Sequence, residues 1–213
     1  MSFTRRTALA VLAAAVAAPA AYAAATPAVP LGADDMALVN RAVAYLQGLT
    51  SARGRFVQTD PRGGVSEGTV YLRRPGKARF EYDPPSGLVM ASDGSLVAIL
   101  NSRLKTYEAY PLGATPLSLF LAKEIRLDRG VTVSRVTRVS DGFVLEASDA
   151  RKKTPGKITL SFSDAPLALQ GWTITDAQGQ STRVRLVNFG PSGPIAASLF
   201  VLKDPRPRIT PHR

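Results

Sequence analysis

Hydrophobic and polar positions alternate along this chain with two different periods. After Asp34 and Asp35, which suit a helix N-cap, Leu38, Ala42, Tyr45, Leu46 and Leu49 fall on one helical face. Gly48 weakens the end of that helix. From Arg55 the period shortens to two. Arg55–Thr59 reads as a strand and Pro61-Arg62-Gly63-Gly64 as a turn. Gly68–Arg74 sets Val70 and Leu72 against Thr69, Tyr71 and Arg73. Beyond the Pro75-Gly76 turn, Lys77–Asp83 sets Ala78, Phe80 and Tyr82 against Lys77, Arg79, Glu81 and Asp83. Pro84-Pro85-Ser86-Gly87 turns the chain again. Leu88–Ser92 and Leu96–Asn101 then flank Asp93-Gly94, a strong hairpin pair, and Leu104–Tyr110 reads as a further strand.

The alternation breaks once. Thr115 can cap a short helix that starts at Pro116, a position where proline is favoured. Leu117, Leu119, Phe120 and Leu121 make that helix apolar nearly all round, suited either to a core or to a lid over the open side of a curled sheet. Strands resume at Val131–Val139, Phe143–Ala147, Lys157–Ser163, Leu167–Asp176 and Ser181–Phe189, with Asp141-Gly142 and Gly179 in turns, and Ser198–Lys203 is expected to add one more. About ten or eleven strands in sequential hairpins imply a mainly β fold, one large antiparallel sheet curled or closed to avoid open edges. The alternation predicts that Phe56, Val70, Leu72, Phe80 and Tyr82 line one continuous apolar cavity.

The N-terminus has a different character. Arg5 and Arg6 precede a run of small apolar residues from Ala8 to Ala18, and Ala21-Tyr22-Ala23 closes it. These are the three parts of a secretory signal peptide, residues 1–23, with the mature chain expected to begin at Ala24. The run is short of the roughly 20 residues of a membrane span. Thr4-Arg5-Arg6 matches a twin-arginine signal in part, and the general secretory route is favoured. No cysteine follows the cleavage site to carry a lipid anchor, so a soluble protein outside the cytoplasm is expected. The length suits a single domain, residues 24–204, followed by a basic, proline-rich tail over 205–213 that reads as disordered.

Composition narrows the chemistry. Cysteine is absent and the single histidine is His212, which excludes thiol catalysis and removes the usual bases and metal ligands. No catalytic residues, metal ligands or cofactor sites are expected, and hence no enzyme. Glu81 and Asp83 alternate with apolar residues on a solvent face, and no serine sits in a nucleophile motif. Without Arg5 and Arg6, 25 basic residues stand against 16 acidic ones, a net charge of +9. Export and sparse aromatics (7%) argue against nucleic acid. The charge suits an anionic membrane surface or simply solubility; Arg151-Lys152-Lys153 reads as a solvated loop, with a phospholipid headgroup contact as the alternative. One residue stands out. Arg74 shares the strand parity of Val70 and Leu72, so it either turns to water at the strand end or points inward to donate to backbone carbonyls packed over it.

Several of these residues carry a family likeness. Phe56-Val57-Gln58, then Gly68 with Tyr71-Leu72-Arg73-Arg74-Pro75, then Ala78-Arg79-Phe80-Glu81-Tyr82 and Pro84 resemble the outer-membrane lipoprotein carrier family of the LolA type. The likeness continues through Ser92-Asp93-Gly94, Thr115-Pro116-Leu117, Phe143-Val144-Leu145 and Gly171-Trp172-Thr173-Ile174-Thr175-Asp176, over about residues 34–203. It implies an incomplete, half-open antiparallel β-barrel with short helices as a lid. It also implies a periplasmic monomer that shields lipoprotein acyl chains and ferries them between membranes. The implied partners are triacylated lipoproteins, an inner-membrane lipoprotein-releasing ABC transporter, and an outer-membrane acceptor or that membrane itself. Arg74 matches the family's lid-locking arginine, and Phe80 its cavity aromatic; the lid helix holds Pro116, Leu117, Leu119 and Phe120. Phe80 stands where some members have tryptophan, and Ala78 where many have a second aromatic. A shuttle for another amphiphile such as a glycolipid, or a lipoprotein-sensing module on the same fold, remains an alternative.

Overall fold

The computed structural model describes residues 31–115, 117–125, 130–150 and 156–205; the side chain of Leu119 is outside the description. The expected signal peptide and its cleavage site, Pro116, the Arg151-Lys152-Lys153 loop and the tail beyond Pro205 lie outside the described residues. No helix among the described residues is long and apolar enough to cross a membrane.

Helix α1 spans Ala33–Gly48 and buries Leu38, Val39, Ala42 and Leu46. Its N-cap is Gly32, not an aspartate. Asp34 and Asp35 sit in the first turn, where they face the positive end of the helix dipole instead of capping it. Six strands follow as a meander: β1 (Ser51–Thr59), β2 (Val65–Arg73), β3 (Lys77–Tyr82), β4 (Leu88–Asp93), β5 (Leu96–Asn101) and β6 (Thr106–Pro111). The last begins two residues later than its alternation suggests, because Lys105 adopts a left-handed turn conformation, φ 55°. A 3₁₀ turn at Leu112–Ala114 leads to the short helix α2 (Leu117–Leu121). A second meander comprises β7 (Val131–Val139), β8 (Gly142–Asp149), β9 (Lys157–Asp164), β10 (Leu167–Thr175) and β11 (Ser181–Pro191).

All eleven strands form one sheet in the order β6-β5-β4-β3-β2-β1-β11-β10-β9-β8-β7. Every pairing is antiparallel, and β1 against β11 is the seam that joins the two meanders. Among the described residues β6 and β7 do not pair, so the sheet is not closed into a barrel.

One face of the sheet carries the main core. Phe56, Val70, Leu72 and Phe80 are buried there with Leu145, Ile158, Leu160 and Phe162 from the other meander. Strand register explains how large rings fit across the centre. Phe56, Gly68 and Tyr82 stand side by side on β1, β2 and β3. The two rings meet edge to face over the bare glycine, with centroids 5.0 Å apart. A Cβ on Gly68 would lie 2.6 Å from the Phe56 ring and 2.1 Å from the Glu81 carbonyl oxygen. Helix α1 covers the β7–β9 side through Val39, Ala42 and Leu46, and Tyr45 meets Phe162 edge to face at 6.1 Å. Helix α2 stacks Phe120 on Trp172 of β10 at 5.7 Å.

The opposite face is covered differently. Residues 192–205 run back across it as a strap. Within them the expected strand at Ser198–Lys203 is instead a 3₁₀ turn at Ala197–Phe200 followed by chain without regular structure. Arg73 donates to the Ile195 carbonyl (3.0 Å), Arg79 to that of Leu199 (2.8 Å), and the Tyr107 hydroxyl to that of Leu202 (3.4 Å). These side-chain donors meet carbonyls that a strand would have paired with a neighbouring backbone. Phe200 is 1% exposed, and Ala91 and Ala98 on that face are buried too. Phe200→Ala should therefore cost about 3 kcal/mol, read as a lower urea midpoint, with the strap becoming the first site of limited proteolysis. An unchanged midpoint and cleavage pattern would show that the phenyl ring does not hold it.

Candidate functional site

A chamber of about 330 Å³ opens between the β3–β6 arm, the β10–β11 hairpin and α2. Phe80, Tyr82, Met90, Val97, Ile99 and Tyr110 form its wall on one side. Trp172, Ile174 and Val184 form the other, with Leu117 of α2 above and Gln58, Thr115 and Thr182 as the remaining polar contributors. Strand register sets this wall: Phe80 lies beside Met90, and Met90 beside Ile99. A second, much smaller apolar recess lies beneath α1, bounded by Val39, Leu46, Val133, Leu145 and Phe120.

The five residues expected to line one cavity separate into two groups. Phe80 and Tyr82 reach the chamber wall. Phe56, Val70 and Leu72 share their face but are sealed into the core, at 0%, 2% and 2% exposure. The reason is packing at the seam. The Phe80 ring lies edge to face on Phe56, with centroids 5.3 Å apart, and again on Trp172 at 5.9 Å. Leu117 lies on the chamber wall, whereas Phe120 caps the core through Trp172 and borders the smaller recess.

Arg74 follows the last residue of β2 and its side chain points inward. Its guanidinium donates to the Leu46 carbonyl in the last turn of α1 and to the Ala122 carbonyl just past α2, the latter at 2.6 Å. Both acceptors lie at helix C-terminal ends, where the Leu46 carbonyl also receives the Leu49 amide at 3.3 Å, and a cation there meets the negative end of the helix dipole. Helix α1 has no basic residue in its own last turn, so this charge comes from the sheet. Burial pushes the guanidinium pKa down from its ordinary value, yet it stays charged at any physiological pH. Its Nε is buried without a hydrogen-bond partner.

The turns around Arg74 reinforce the contact. The Gly76 amide donates to the Leu121 carbonyl at 2.9 Å. The buried Ser92 hydroxyl donates to the Gly76 carbonyl at 2.7 Å. Gly76, at φ 77°, packs so closely on Gly94 that a Cβ would come 2.6 Å from its Cα.

Within the chamber the Tyr82 hydroxyl donates to the Gln58 side-chain oxygen at 2.8 Å, and burial raises the phenol pKa. Tyr110 donates to Glu108 on the β6 rim, and that carboxylate raises its pKa. On the other face Arg55 makes a two-pronged ion pair with Asp83, and Arg79 pairs with Glu81. Both acids are therefore occupied by arginines. Among the described residues no group of three His, Cys, Asp or Glu could hold a metal ion.

Residues 47–203 match the family described as "Outer membrane lipoprotein carrier protein LolA". The chain belongs to that family. Relatives named outer-membrane lipoprotein carrier protein agree over most of its length. The one from Cupriavidus taiwanensis is 27% identical over 210 residues, covering 92% of this chain and 95% of the relative. The one from Chromohalobacter salexigens is 29% identical over 194 residues, covering 85% and 90%. Among solved structures, a DUF1329 family protein from Desulfovibrio piger has the same general fold. Its TM-score is 0.52 at 10% identity, over 79% of this chain and 96% of that one. A lipoprotein carrier role follows from the family and its relatives.

Trp172, Met90, Ile99, Tyr110, Ile174, Thr182 and Val184 also line the chamber and were not among the expected lining residues. Met90 and Ile99 could have been found by carrying the Phe80 parity through the Pro84-Pro85-Ser86-Gly87 turn and then the Asp93-Gly94 hairpin. Trp172 and Val184 could not, because their place depends on the β1–β11 seam.

The carboxylates make the fold acid-sensitive. Asp93 is held below its ordinary pKa by the amides of Leu96 (2.9 Å) and Ser95 (2.7 Å), Asp83 by Arg55, and Glu146 by Lys157. A depressed folded-state pKa means that the stabilisation is complete above the unfolded-state value and is lost as pH falls through the folded one. The melting temperature should stay level from about pH 8 to 5 and drop below about pH 4. Asp93→Ala should start lower at neutral pH and fall less steeply in acid. Parallel acid limbs for the two proteins would remove Asp93 from this account.

Proposed function

We propose that this chain is an exported periplasmic carrier. It hides lipoprotein acyl chains in the apolar chamber and moves them from the inner to the outer membrane. The energetics require such a shield: three chains of roughly fourteen methylenes each cost about 30 kcal/mol when exposed to water, at about 0.8 kcal/mol per methylene. The role asks for binding and release rather than bond chemistry. A releasing ABC transporter would load the chains, and an outer-membrane acceptor or the membrane itself would receive them. The charge of +9 left after removal of residues 1–23 suits work between anionic surfaces.

The observation that carries this reading is the position of Arg74, which ties the C-terminal ends of α1 and α2 together, α2 supplying Leu117 to the chamber wall. A chamber of about 330 Å³ is at the small end of ligand pockets, about 300–1,000 Å³, and three long chains need more room. Loading therefore has to lift α2. Charge-assisted hydrogen bonds of about 1.5–3 kcal/mol each are strong enough to hold the lid and weak enough for cargo to replace.

Mass spectrometry of protein purified from its own periplasm should find a triacylated polypeptide bound. A glycolipid without protein, or no lipid at all, would count against the lipoprotein reading. In a transfer assay with purified acceptor, Arg74→Leu should remain folded and hand over cargo about tenfold differently from the parent, the effect of losing a charged hydrogen bond. Arg74→Lys should be milder, since it keeps the charge and loses the planar fork. Normal transfer by folded Arg74→Leu would reduce this residue to an ordinary strand-end arginine.

A further inference from the structure

The chamber is largely apolar, and its Gln58 corner is far from Arg74. Gln58 lies near the end of β1, opposite Val184 of β11 and Ser66 of β2. Arg73, just before Arg74, lies opposite Ser51, at the other end of β1. Seven steps of strand lead from Ser51 to Gln58, roughly 24 Å.

We infer that Gln58 receives the ester carbonyl of an acylated cargo, so that the chamber is polarised with the cargo's linkage region at the Gln58 end. This deepens the carrier reading and rests on it. The Gln58 side-chain oxygen is already taken by the Tyr82 hydroxyl. Its amide nitrogen lies on a side chain that lines the chamber and makes no hydrogen bond within the described protein. Thr182 also lines the chamber, on the neighbouring strand, and its hydroxyl likewise makes none. Two half-buried polar groups without a protein partner therefore share one corner of a largely apolar space. A side-chain amide presents donors there, and an ester carbonyl offers only acceptors. An acyl ester seated there excludes water from the half-buried amide and gives it an acceptor in return.

The same geometry separates ligand classes. An ether-linked chain has no carbonyl to offer. A free fatty acid brings a carboxylate into a corner whose lining carries no cation, with Arg74 at the opposite end of the sheet and committed to two helix ends. The ligand class that fits is a neutral acyl ester.

The test compares three synthetic probes of equal chain length. They are a cysteine peptide bearing a thioether-linked dipalmitoylglyceryl group, its dialkyl-ether analogue, and palmitate. The mature wild-type protein should bind the ester peptide about tenfold more tightly than the ether analogue, the effect of one hydrogen bond, and palmitate least. Gln58→Leu should lose the preference for the ester peptide over the ether analogue. Tyr82→Phe retains the amide and should keep it. Because Gln58→Leu strands the Tyr82 hydroxyl, the double variant Gln58→Leu/Tyr82→Phe removes both polar groups together and serves if the single variant fails to fold. A preference that survives in whichever of these Gln58→Leu proteins folds overturns the role of Gln58 and leaves the carrier reading standing. Failure of the wild type to bind any of the three probes overturns both.

Discussion

Two helices that are distant in sequence end on the same guanidinium. Helix α1 precedes the whole sheet, while α2 interrupts it between β6 and β7. Arg74 donates to one carbonyl at the C-terminal end of each. The arginine itself is fixed by the sheet: its backbone amide donates to the Thr50 carbonyl at 2.8 Å, and the turn after it is bonded to Leu121. The two helix ends are thus gathered at one place by a few directional bonds, while the helices' apolar faces pack on the sheet. The sheet beneath is held by ladders of backbone bonds that do not depend on the helices. The lid opening proposed above would leave those ladders intact.

Aromatic packing divides the space under that cover. Phe120, Trp172, Phe80, Phe56 and Tyr82 form a continuous series of ring contacts from α2 across the seam to β3. The series separates the chamber beside α2 from the recess under α1. Gly68 makes it possible by leaving flat backbone under two rings. Edge-to-face pairs add about 0.5–1.5 kcal/mol each beyond the area they bury, so the partition is itself a stable part of the core.

Much of this was legible in the sequence, because a period of two reports which face of a sheet a residue occupies. The inward faces of β2 and β3, the turns at Pro75-Gly76 and Asp93-Gly94, and the inward parity of Arg74 all follow from that rule. Parity says nothing about how deep a residue lies along its face. Phe56 and Phe80 have equal parity, yet one is sealed and the other reaches the wall, depending on rings that arrive from β10 and α2. The β1–β11 pairing joins residues more than a hundred positions apart, and no local pattern encodes it. The strap misled for a related reason. Its apolar residues include Leu199, Phe200 and Val201, a strand-like run, but its carbonyls are met by arginine and tyrosine side chains instead of a neighbouring strand. Likewise, Asp34 and Asp35 look like caps until the helix is seen to begin at Ala33.

The unpaired flanks of the sheet have a geometric consequence. A closed barrel has its radius set by strand number and stagger; here the circumference is interrupted between β6 and β7, so the described strands impose no such fixed radius. Adjacent strands in sheets differ in twist by some 20–25° on average with a wide spread, so a change of about 2° at each junction lies well within ordinary variation. Summed over the series from β6 to β7, that becomes about 20° between the flanks. The interior can therefore widen or narrow by many small adjustments without breaking a single rung between strands.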